Sequence, residues 1–297
     1  MARSANAKPP WLKVKLPGSP RYHDIKKRAR QLRLATVCEE ARCPNIGECW
    51  GGGTATFMVM GDTCTRGCRF CSVKTAKFPE ALDPEEPRNV AHAIQELDLD
   101  YVVITSVDRD DVADGGASHF AACIRETRIV SPKTKIEVLI PDFAGHIGHL
   151  LTVVEAGAEV IAHNIETVER LTYPVRDRKA GYQQSLDVLR NIKTIDPTRL
   201  TKSSIMVGLG ETVDEVEQAM RHLREADCDF LTIGQYLKPT KKHIDLVEYV
   251  HPDQFAAYEA IGLDMGFKYV ASGALVRSSY KAGEFFISRY LDQRQTA

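Results

Sequence analysis

Cys64, Cys68 and Cys71 stand in the segment Cys64-Thr-Arg-Gly-Cys68-Arg-Phe-Cys71, a C-x3-C-x2-C spacing. Thiolates are the usual ligands of the irons in a 4Fe–4S cluster, one to each iron. Three closely spaced thiolates hold three irons and leave the fourth open. An open iron can bind a substrate, which a cluster that only carries electrons does not need. Zinc would ask for a fourth Cys or His at short range. The next histidine is His92, and nothing nearby completes a second pair of hooks. A ferredoxin would normally supply a fourth cysteine. The aromatic Phe70, directly before the third cysteine, strengthens the signal.

A second triplet lies upstream. Cys38, Cys43 and Cys49 have C-x4-C-x5-C spacing and are again one ligand short. Structural cysteines, or zinc with a distant histidine, remain open for this triplet. Two separate triplets serve two clusters more naturally than one six-cysteine cluster. The chain has eight cysteines, six of them in these triplets. Such clustering in a 297-residue chain argues for metal rather than a secreted disulfide framework. Cys123, on the stripe Phe120, Cys123, Ile124, Thr127, reads as a buried small hydrophobe, and so does Cys228, just before Phe230-Leu231-Thr232-Ile233. The first triplet, followed by a long patterned chain, points to radical S-adenosylmethionine chemistry.

The elements that must position these thiolates are legible after residue 53. Six β-rich runs, 54–60, 100–106, 135–140, 159–164, 203–207 and 230–236, alternate with helical stripes. The stripes are Val90, Ile94, Leu97; Phe120, Ile124, Thr127; Ile147, Leu150, Leu151, Val154; Tyr182, Leu186, Leu189; and Val213, Val216, Met220, Leu223. Alternating strands and helices imply right-handed βαβ units and a parallel sheet. An open six-unit barrel fits this count, and on pattern alone a doubly wound sheet fits it equally. The first triplet follows the first run, at the strand end where α/β active sites collect. Residues 1–53 precede the repeat as an N-terminal extension, 54–236 form it, and 237–297 follow as a C-terminal extension. Gly51-Gly52-Gly53 and Lys238-Pro239-Thr240 are the seams.

Polar residues at the other strand ends are candidates for cofactor contact. Ser106 and Asp108 follow one strand, and Asn164 and Glu166 another. In Met206-Val-Gly208-Leu-Gly-Glu211 the glycines allow close backbone approach at a helix start, although a tight βα turn explains the same residues. Arg178 is a candidate partner for the methionine carboxylate, against the commoner case of an exposed arginine.

Hydrophobic content of 43% and charged content of 27% are globular values, and a formal net charge of −1 argues against a nucleic-acid binder. The first 35 residues are strongly basic, with Arg3, Lys8, Lys13, Lys15, Arg21, Lys26, Lys27, Arg28, Arg30 and Arg33 against Asp24 alone. They form either a solvated face or, together with Lys238, Lys241 and Lys242, a docking surface for an acidic partner. No apolar run approaches the ~20 residues of a membrane span, and the start lacks a signal-peptide core. Arg3, Ser4, Ala5 and Lys8 only faintly suggest a transit peptide. The expectation is a soluble, cytoplasmic protein in a reducing compartment.

Beyond these local patterns, the chain resembles the lipoyl synthase family of the radical S-adenosylmethionine superfamily. The matching stretches run in order through nearly the whole chain. They are Lys8–Pro17, Cys38–Cys49, Gly53–Met58, Cys64–Cys71, Thr105–Asp111 with Asp114–Gly116, His163–Glu166, Met206–Thr212, Gly234–Leu237 and Arg277-Ser-Ser-Tyr280. The resemblance implies a partial (β/α)6 barrel of TIM type with extensions at both ends and two 4Fe–4S clusters. The cluster on Cys64, Cys68 and Cys71 would bind S-adenosylmethionine and split it to a 5′-deoxyadenosyl radical. That radical would abstract hydrogen from a protein-bound octanoyl-lysine. The second cluster, on Cys38, Cys43, Cys49 and a serine, would donate sulfur at C6 and then C8. The family pattern points to Ser278 as that serine, with Ser279 less favoured. The implied partners are octanoylated carrier domains (E2 subunits, the glycine-cleavage H protein), an electron donor such as flavodoxin or ferredoxin, and an iron–sulfur carrier that rebuilds the donor cluster. The alternatives are another radical sulfur transferase, such as a tRNA methylthiotransferase, or a two-cluster electron carrier.

Overall fold

The computed structural model describes residues 8–13, 18–31, 34–40, 43, 45–51, 55–279 and 290–291. Arg3, Lys15, Arg33, Thr54 and Tyr280, all used in the sequence reading, lie outside the described residues.

The extension contributes α1 (Pro20–Gln31), β1 (Ala35–Thr36), α2 (Val37–Glu40) and α3 (Ile46–Gly51). The repeat opens with β2 (Thr56–Val59), followed by the short pair β3 (Thr63–Cys64) and β4 (Lys74–Thr75). Then come α4 (Glu86–Glu96), β5 (Tyr101–Ser106), α5 (Ala117–Val130), β6 (Lys135–Leu139), α6 (Ile147–Val154) and β7 (Val160–Ala162). The remainder is α7 (Thr172–Val175), α8 (Tyr182–Ile195), β8 (Leu200–Val207), α9 (Val213–Glu225), β9 (Phe230–Gln235), α10 (Pro252–Asp264) and β10 (Tyr269–Gly273).

The main sheet has the order β1-β2-β5-β6-β7-β8-β9-β10. From β2 to β10 every neighbour is parallel, and β1 adds antiparallel to the outer edge of β2. Strand order follows chain order without reversal. That is barrel winding, and it removes the doubly wound alternative, in which the order turns back at a switch point. Among the described residues β2 and β10 do not pair, so the barrel stays open. The fold is a partial (β/α)6 barrel with β10 added as a seventh parallel strand and β1 on its other edge. Both faces of the strands are covered, so β2 is buried at every position and β5 at all but its last.

Three elements depart from the sequence reading, among them α9, whose Val216, Met220 and Leu223 are buried as expected while Val213 is exposed. β10 lies beyond the expected end of the repeat at residue 236; its sequence, Tyr-Val-Ala-Ser-Gly, is too short and small-residue-rich to announce a strand. In α6 the buried face is Leu150, Val153 and Val154, whereas Ile147 and Leu151 are exposed. An eight-residue helix carrying five large aliphatic residues satisfies two stripes, so periodicity has no means of choosing between them. The stripes of α5 and α8 are buried as expected, and Cys123 and Cys228 are fully buried.

The barrel interior is filled at its N-terminal end. Tyr101, Val103, Val160, Leu200, Phe230 and Leu291 form an apolar plug. Above it, Lys202 Nζ reaches Glu137 Oε1 at 2.7 Å, and the Tyr101 hydroxyl donates to Glu137 Oε2 at 2.6 Å. Open space is thus left at the C-terminal ends of the strands, where the candidate residues sit.

Candidate functional site

The chain leaves β2 through Met60 and Gly61, both left-handed (φ 68° and 87°). Such a conformation strains a non-glycine residue. Glu86 of α4 holds it, accepting from the Met60 N–H at 2.7 Å, and His119 Nε2 lies 2.6 Å from the same oxygen. Glu86, His119 and Cys123 converge within 4.8 Å. The carboxylate is already occupied by these donors, which makes the trio a clamp on the loop entrance.

The loop carrying Cys64, Cys68 and Cys71 is then fastened from several elements. Thr65 N–H donates to Asp108 O at 3.0 Å, Arg69 N–H to Val175 O at 2.8 Å, Gly67 N–H to Asp177 Oδ2 at 2.8 Å and Ala76 N–H to Cys64 O at 3.0 Å. His243 donates through Nε2 to the Cys71 carbonyl at 2.9 Å, the only role that partner allows. Two sulfurs receive backbone amides, Cys64 Sγ from Arg66 N–H at 3.4 Å and Cys68 Sγ from Asp177 N–H at 3.3 Å.

Beneath the loop, Arg66 is buried and grips three carboxylates. It is bidentate to Asp142 (2.7 and 2.7 Å), bonds Asp110 at 2.8 and 3.1 Å, and stands 3.3 Å from Asp108. Burial pushes Asp142 and Asp110 up, but the bonds to Arg66 outweigh it and leave both below the usual carboxylate range, Asp110 at about 2. Burial dominates at Asp108 despite Arg66, and lifts it to about 6. Its carboxylate lies 3.8 Å from Cys64 Sγ.

The second triplet is set by α2 and α3. Cys43 N–H donates to Cys38 O at 3.0 Å, and Trp50 is fully buried with its ring 5.1 Å from that of Tyr22. Arg28 Nε pairs this extension with Glu96 Oε2 at 2.8 Å, and two side-chain hydrogen bonds tie its cysteine-bearing part to the rest. Ser72 Oγ donates to Glu40 O at 2.6 Å, and Asn45 Nδ2 donates to Leu275 O at 2.5 Å across 230 residues of sequence. The latter brings the turn holding Ser278 and Ser279 to the cysteines. Gly234 of β9 makes room for that turn, since a Cβ there would collide with the Val276 carbonyl.

All six cysteines, Ser278 and Ser279 line one cavity of about 510 Å³. Burial raises the thiols of Cys38 (to about 11) and of Cys64 and Cys68 (to about 12), and raises Cys43 and Cys71 as well. Binding a cluster therefore displaces protons from thiols that stay protonated without it. Within the cavity wall Ser106 Oγ, Asn164 Oδ1 and Asn45 Oδ1 are buried with no partner among the described residues. Six convergent thiols and orphaned polar atoms fit a cavity built to take iron–sulfur clusters and a polar cofactor.

Phe70, Ser106, Asp108, Asn164 and Glu166 also line the cavity. Glu166 is left-handed (φ 67°), accepts from Asn164 Nδ2 at 3.1 Å, and is raised by burial. Three candidates do not join them. Arg178 is exposed and away from the lining; the buried arginine of this loop is Arg176, bonded to Ser185 Oγ at 2.9 Å and Ile165 O at 3.2 Å. Gly208 and Glu211 form the tight turn instead: the Glu211 carboxylate accepts from the Gly208 and Leu209 amides, and a Cβ on Gly208 would meet Glu248 O at 2.5 Å. Arg66, Arg176, Asp142, Asn45 and His243 escape the sequence reading. Only Arg66 and Asn45 carry a local signal, their places inside the first and second motifs.

Residues 58–223 match the model of the radical SAM superfamily, and residues 2–43 match the N-terminal domain of lipoyl synthase. The chain is 59% identical over 291 residues to the mitochondrial lipoyl synthase of Aedes aegypti, covering 96% of this chain and 74% of that protein. It is 58% identical over 293 residues to that of Branchiostoma floridae, covering 97% and 78%. Among solved structures, methylornithine synthase aligns with a TM-score of 0.52 at 14% identity over 92% of both chains. The hydrogenase maturase HydG aligns at 0.57 and 15% over 84% of this chain and 55% of that one. These two share the fold. The cytoplasmic location expected from the sequence is corrected here, because these relatives are named mitochondrial. Unpaired cysteines ask only for a reducing compartment, which does not single out the cytoplasm. With two family models and relatives matched along almost its whole length, the chain belongs to the lipoyl synthase family of radical S-adenosylmethionine enzymes.

Proposed function

We propose that the chain inserts two sulfur atoms, at C6 and C8, into the octanoyl group carried on a lysine of a lipoyl carrier domain, and that it works in mitochondria. The observation that carries this reading is the single cavity shared by Cys64, Cys68, Cys71, Cys38, Cys43, Cys49 and Ser278. A radical made beside the first triplet needs no diffusion through solvent to meet a carbon held beside the second. When bound, a 4Fe–4S cluster and S-adenosylmethionine supply a 5′-deoxyadenosyl radical able to take hydrogen from an unactivated C–H.

The chain's own residues hold and orient. Cys64, Cys68 and Cys71 hold three irons, and the loop bonds to Asp108, Val175, Asp177 and His243 fix their spacing. Asn164, Glu166, Ser106 and Asp108 offer polar contacts to the cofactor, with Arg176 rather than Arg178 as the cation of that wall. Cys38, Cys43, Cys49 and Ser278 would hold a second 4Fe–4S cluster, whose chemistry there would be to supply the sulfur. Oxygen is a harder donor than thiolate and suits this iron less well, so Ser278 is the ligand that most readily lets its iron go. Met58, Leu139, Met206 and Leu237 give the cavity an apolar wall for an acyl chain. Residues 1–53 and 237–297 thus carry the donor-side ligands and 54–236 the radical-generating cysteines, with His243 of the C-terminal extension also fastening the first triplet.

Anaerobic reconstitution, reduction, and incubation with S-adenosylmethionine and an octanoyl-lysine peptide test the whole reading. Absence of both 5′-deoxyadenosine and thiolated peptide rejects it. Ser278→Ala is expected to keep 5′-deoxyadenosine formation and lose thiolation; if Ser279→Ala alone does so, the ligand is Ser279. Gly234→Ala is expected to behave like Ser278→Ala, because the new methyl meets backbone at Val276 and displaces the serine turn without touching the first triplet. An unchanged product ratio in Gly234→Ala would contradict that placement.

A further inference from the structure

Lys8, Arg66, Arg176, Lys238 and Arg277 line the cavity, and four of these cations are accounted for. Arg66 is gripped by its carboxylates, Arg176 bonds Ser185 Oγ and the Ile165 carbonyl, Lys238 pairs with Asp245, and Lys8 is exposed to water. Arg277 differs. Its guanidinium makes one hydrogen bond among the described residues, from Nη1 to the Val276 carbonyl at 2.6 Å. A guanidinium carries five N–H donors, so most of its capacity is unused. No carboxylate among the described residues answers its charge.

Its place is fixed by the turn that carries it. The Asn45–Leu275 bond draws that turn to the second triplet, and Gly234 gives it room: a Cβ there would lie 3.4 Å from Arg277 Nη1 as well as striking the Val276 carbonyl. The guanidinium therefore stands on the wall that Cys38, Cys43 and Cys49 share. Loss of hydration holds its pKa below the ordinary arginine value, and the charge of a Cys43 thiolate is what opposes this. Withdrawing a cation from water without a counter-charge is costly. An uncompensated cation in a wall of thiols fits a site whose occupant is anionic. The first triplet has the opposite neighbour, the Asp108 carboxylate 3.8 Å from Cys64 Sγ.

We propose that Arg277 is the counter-charge of the donor site: its guanidinium offsets the negative charge of the iron–sulfur group on Cys38, Cys43 and Cys49 and raises that group's reduction potential. The inference rests on the reading of the second triplet as a cluster site. Three thiolates and an oxygen ligand outweigh the positive iron–sulfide core, so the filled site is anionic. The potential of such a group responds to net charge and to hydrogen bonds at its sulfurs. Arg277 supplies the charge and has N–H donors to spare for sulfur. The two sites are thereby biased in opposite directions. Asp108 favours giving an electron at the first triplet, and Arg277 favours keeping one at the second.

The test uses the full chain carrying Cys64→Ala, which leaves the second triplet as the complete set, reconstituted anaerobically. Redox titration followed by electron paramagnetic resonance reads the midpoint potential. Arg277→Met is expected to lower it by about a tenfold shift in the reduction equilibrium, about 59 mV for one electron. Arg277→Lys keeps the charge and is expected to stay near the parent value. Lys77→Met, at an exposed position outside the cavity, is the control and should leave the potential in place. Melting of the iron-free chain separates this role from packing. There Arg277→Met is expected to melt no lower than its parent, because it removes an unpaired cation and not one half of an ion pair. A lower melting temperature would assign Arg277 a packing role and overturn the proposal. So would an unchanged potential in Arg277→Met, or an equal fall in Arg277→Lys. Absence of a four-iron cluster from the Cys64→Ala chain itself would instead defeat the reading of the second triplet.

Discussion

Cys64→Ala is expected to eliminate 5′-deoxyadenosine formation and to halve the iron bound after reconstitution, from about eight atoms per chain to about four. The thiol is the one ligand of its triplet that lies in the β3–β4 pair, and its carbonyl anchors Ala76 while its sulfur faces Asp108. The neighbouring cysteines are held by other elements, the Cys68 sulfur by the Asp177 amide and the Cys71 carbonyl by His243, so the loop keeps its course when Cys64 is truncated. What disappears is an iron ligand. Cys38→Ala is expected to lose the same share of iron by a different route, keeping 5′-deoxyadenosine formation and losing thiolation. Iron analysis with product quantification separates the two. Equal loss of 5′-deoxyadenosine in both variants would mean that the triplets do not serve separate clusters.

Arg66→Met is expected to be the most damaging substitution for stability outside the hydrophobic core. Arg66 lies in the motif, yet its guanidinium points away from the thiols into a cage of Asp108, Asp110 and Asp142. Removing one partner of a buried ion pair leaves uncompensated charge and costs about 3–5 kcal/mol. For a chain of this size that lowers the melting temperature by roughly 10 °C. Arg66→Lys should recover only part, because an ammonium has no planar fork for the bidentate contact. Arg66→Met combined with Asp142→Leu should recover more, since the carboxylate left buried is then gone. Calorimetry on the protein as isolated reads these effects, and no rescue by the double variant would refute the cage as their source. Acid should act on the same cage. Asp110, held at about 2, and Asp142, also lowered, stabilise the fold above their ordinary titration range near pH 4. That contribution fades as pH falls toward 2.

Much of this was legible in the residues themselves. The six cysteines declared the chemistry because metal ligation depends on a local spacing, and local spacing survives in a linear sequence. The βα repeat was legible for the same reason: each helix stripe is a periodicity within a dozen residues. Contacts made by partners far apart in the chain were not. Asn45 meets Leu275, Arg66 meets Asp142, and His243 meets Cys71. Nothing in the neighbourhood of His243 marks it, and the place of Asn45 between Cys43 and Cys49 does not name its partner, because a lone polar residue has the same local signature whether it bonds a distant carbonyl or water. Arg178 is named by the sequence reading and Arg176 is not, although both stand in one short loop, because only the turn after α7 decides which is buried. Gly208 and Glu211 misled for a related reason. A glycine-rich strand-to-helix turn needs its amides satisfied, and Glu211 does that from within the turn, leaving no vacancy for a ligand. Ser278 was reachable only by resemblance. Its nearness to Cys43 depends on Gly234 and Asn45, two residues with no spacing relation to it.

The bond from Asn45 to Leu275 has a consequence for how the protein is made. A ribosome delivers the upstream cysteines early and the serine turn last, 230 residues later. At about 5–20 residues per second the wait is on the order of ten to fifty seconds. During that interval the nascent chain already displays both triplets, while the wall that completes one of them does not yet exist. The radical-generating loop has all its fastenings once His243 is made, whereas the donor pocket still lacks the turn that begins at Leu275. Maturation in the right order is therefore a matter of timing, and a chain truncated before Leu275 should load the first site and leave the second open to solvent.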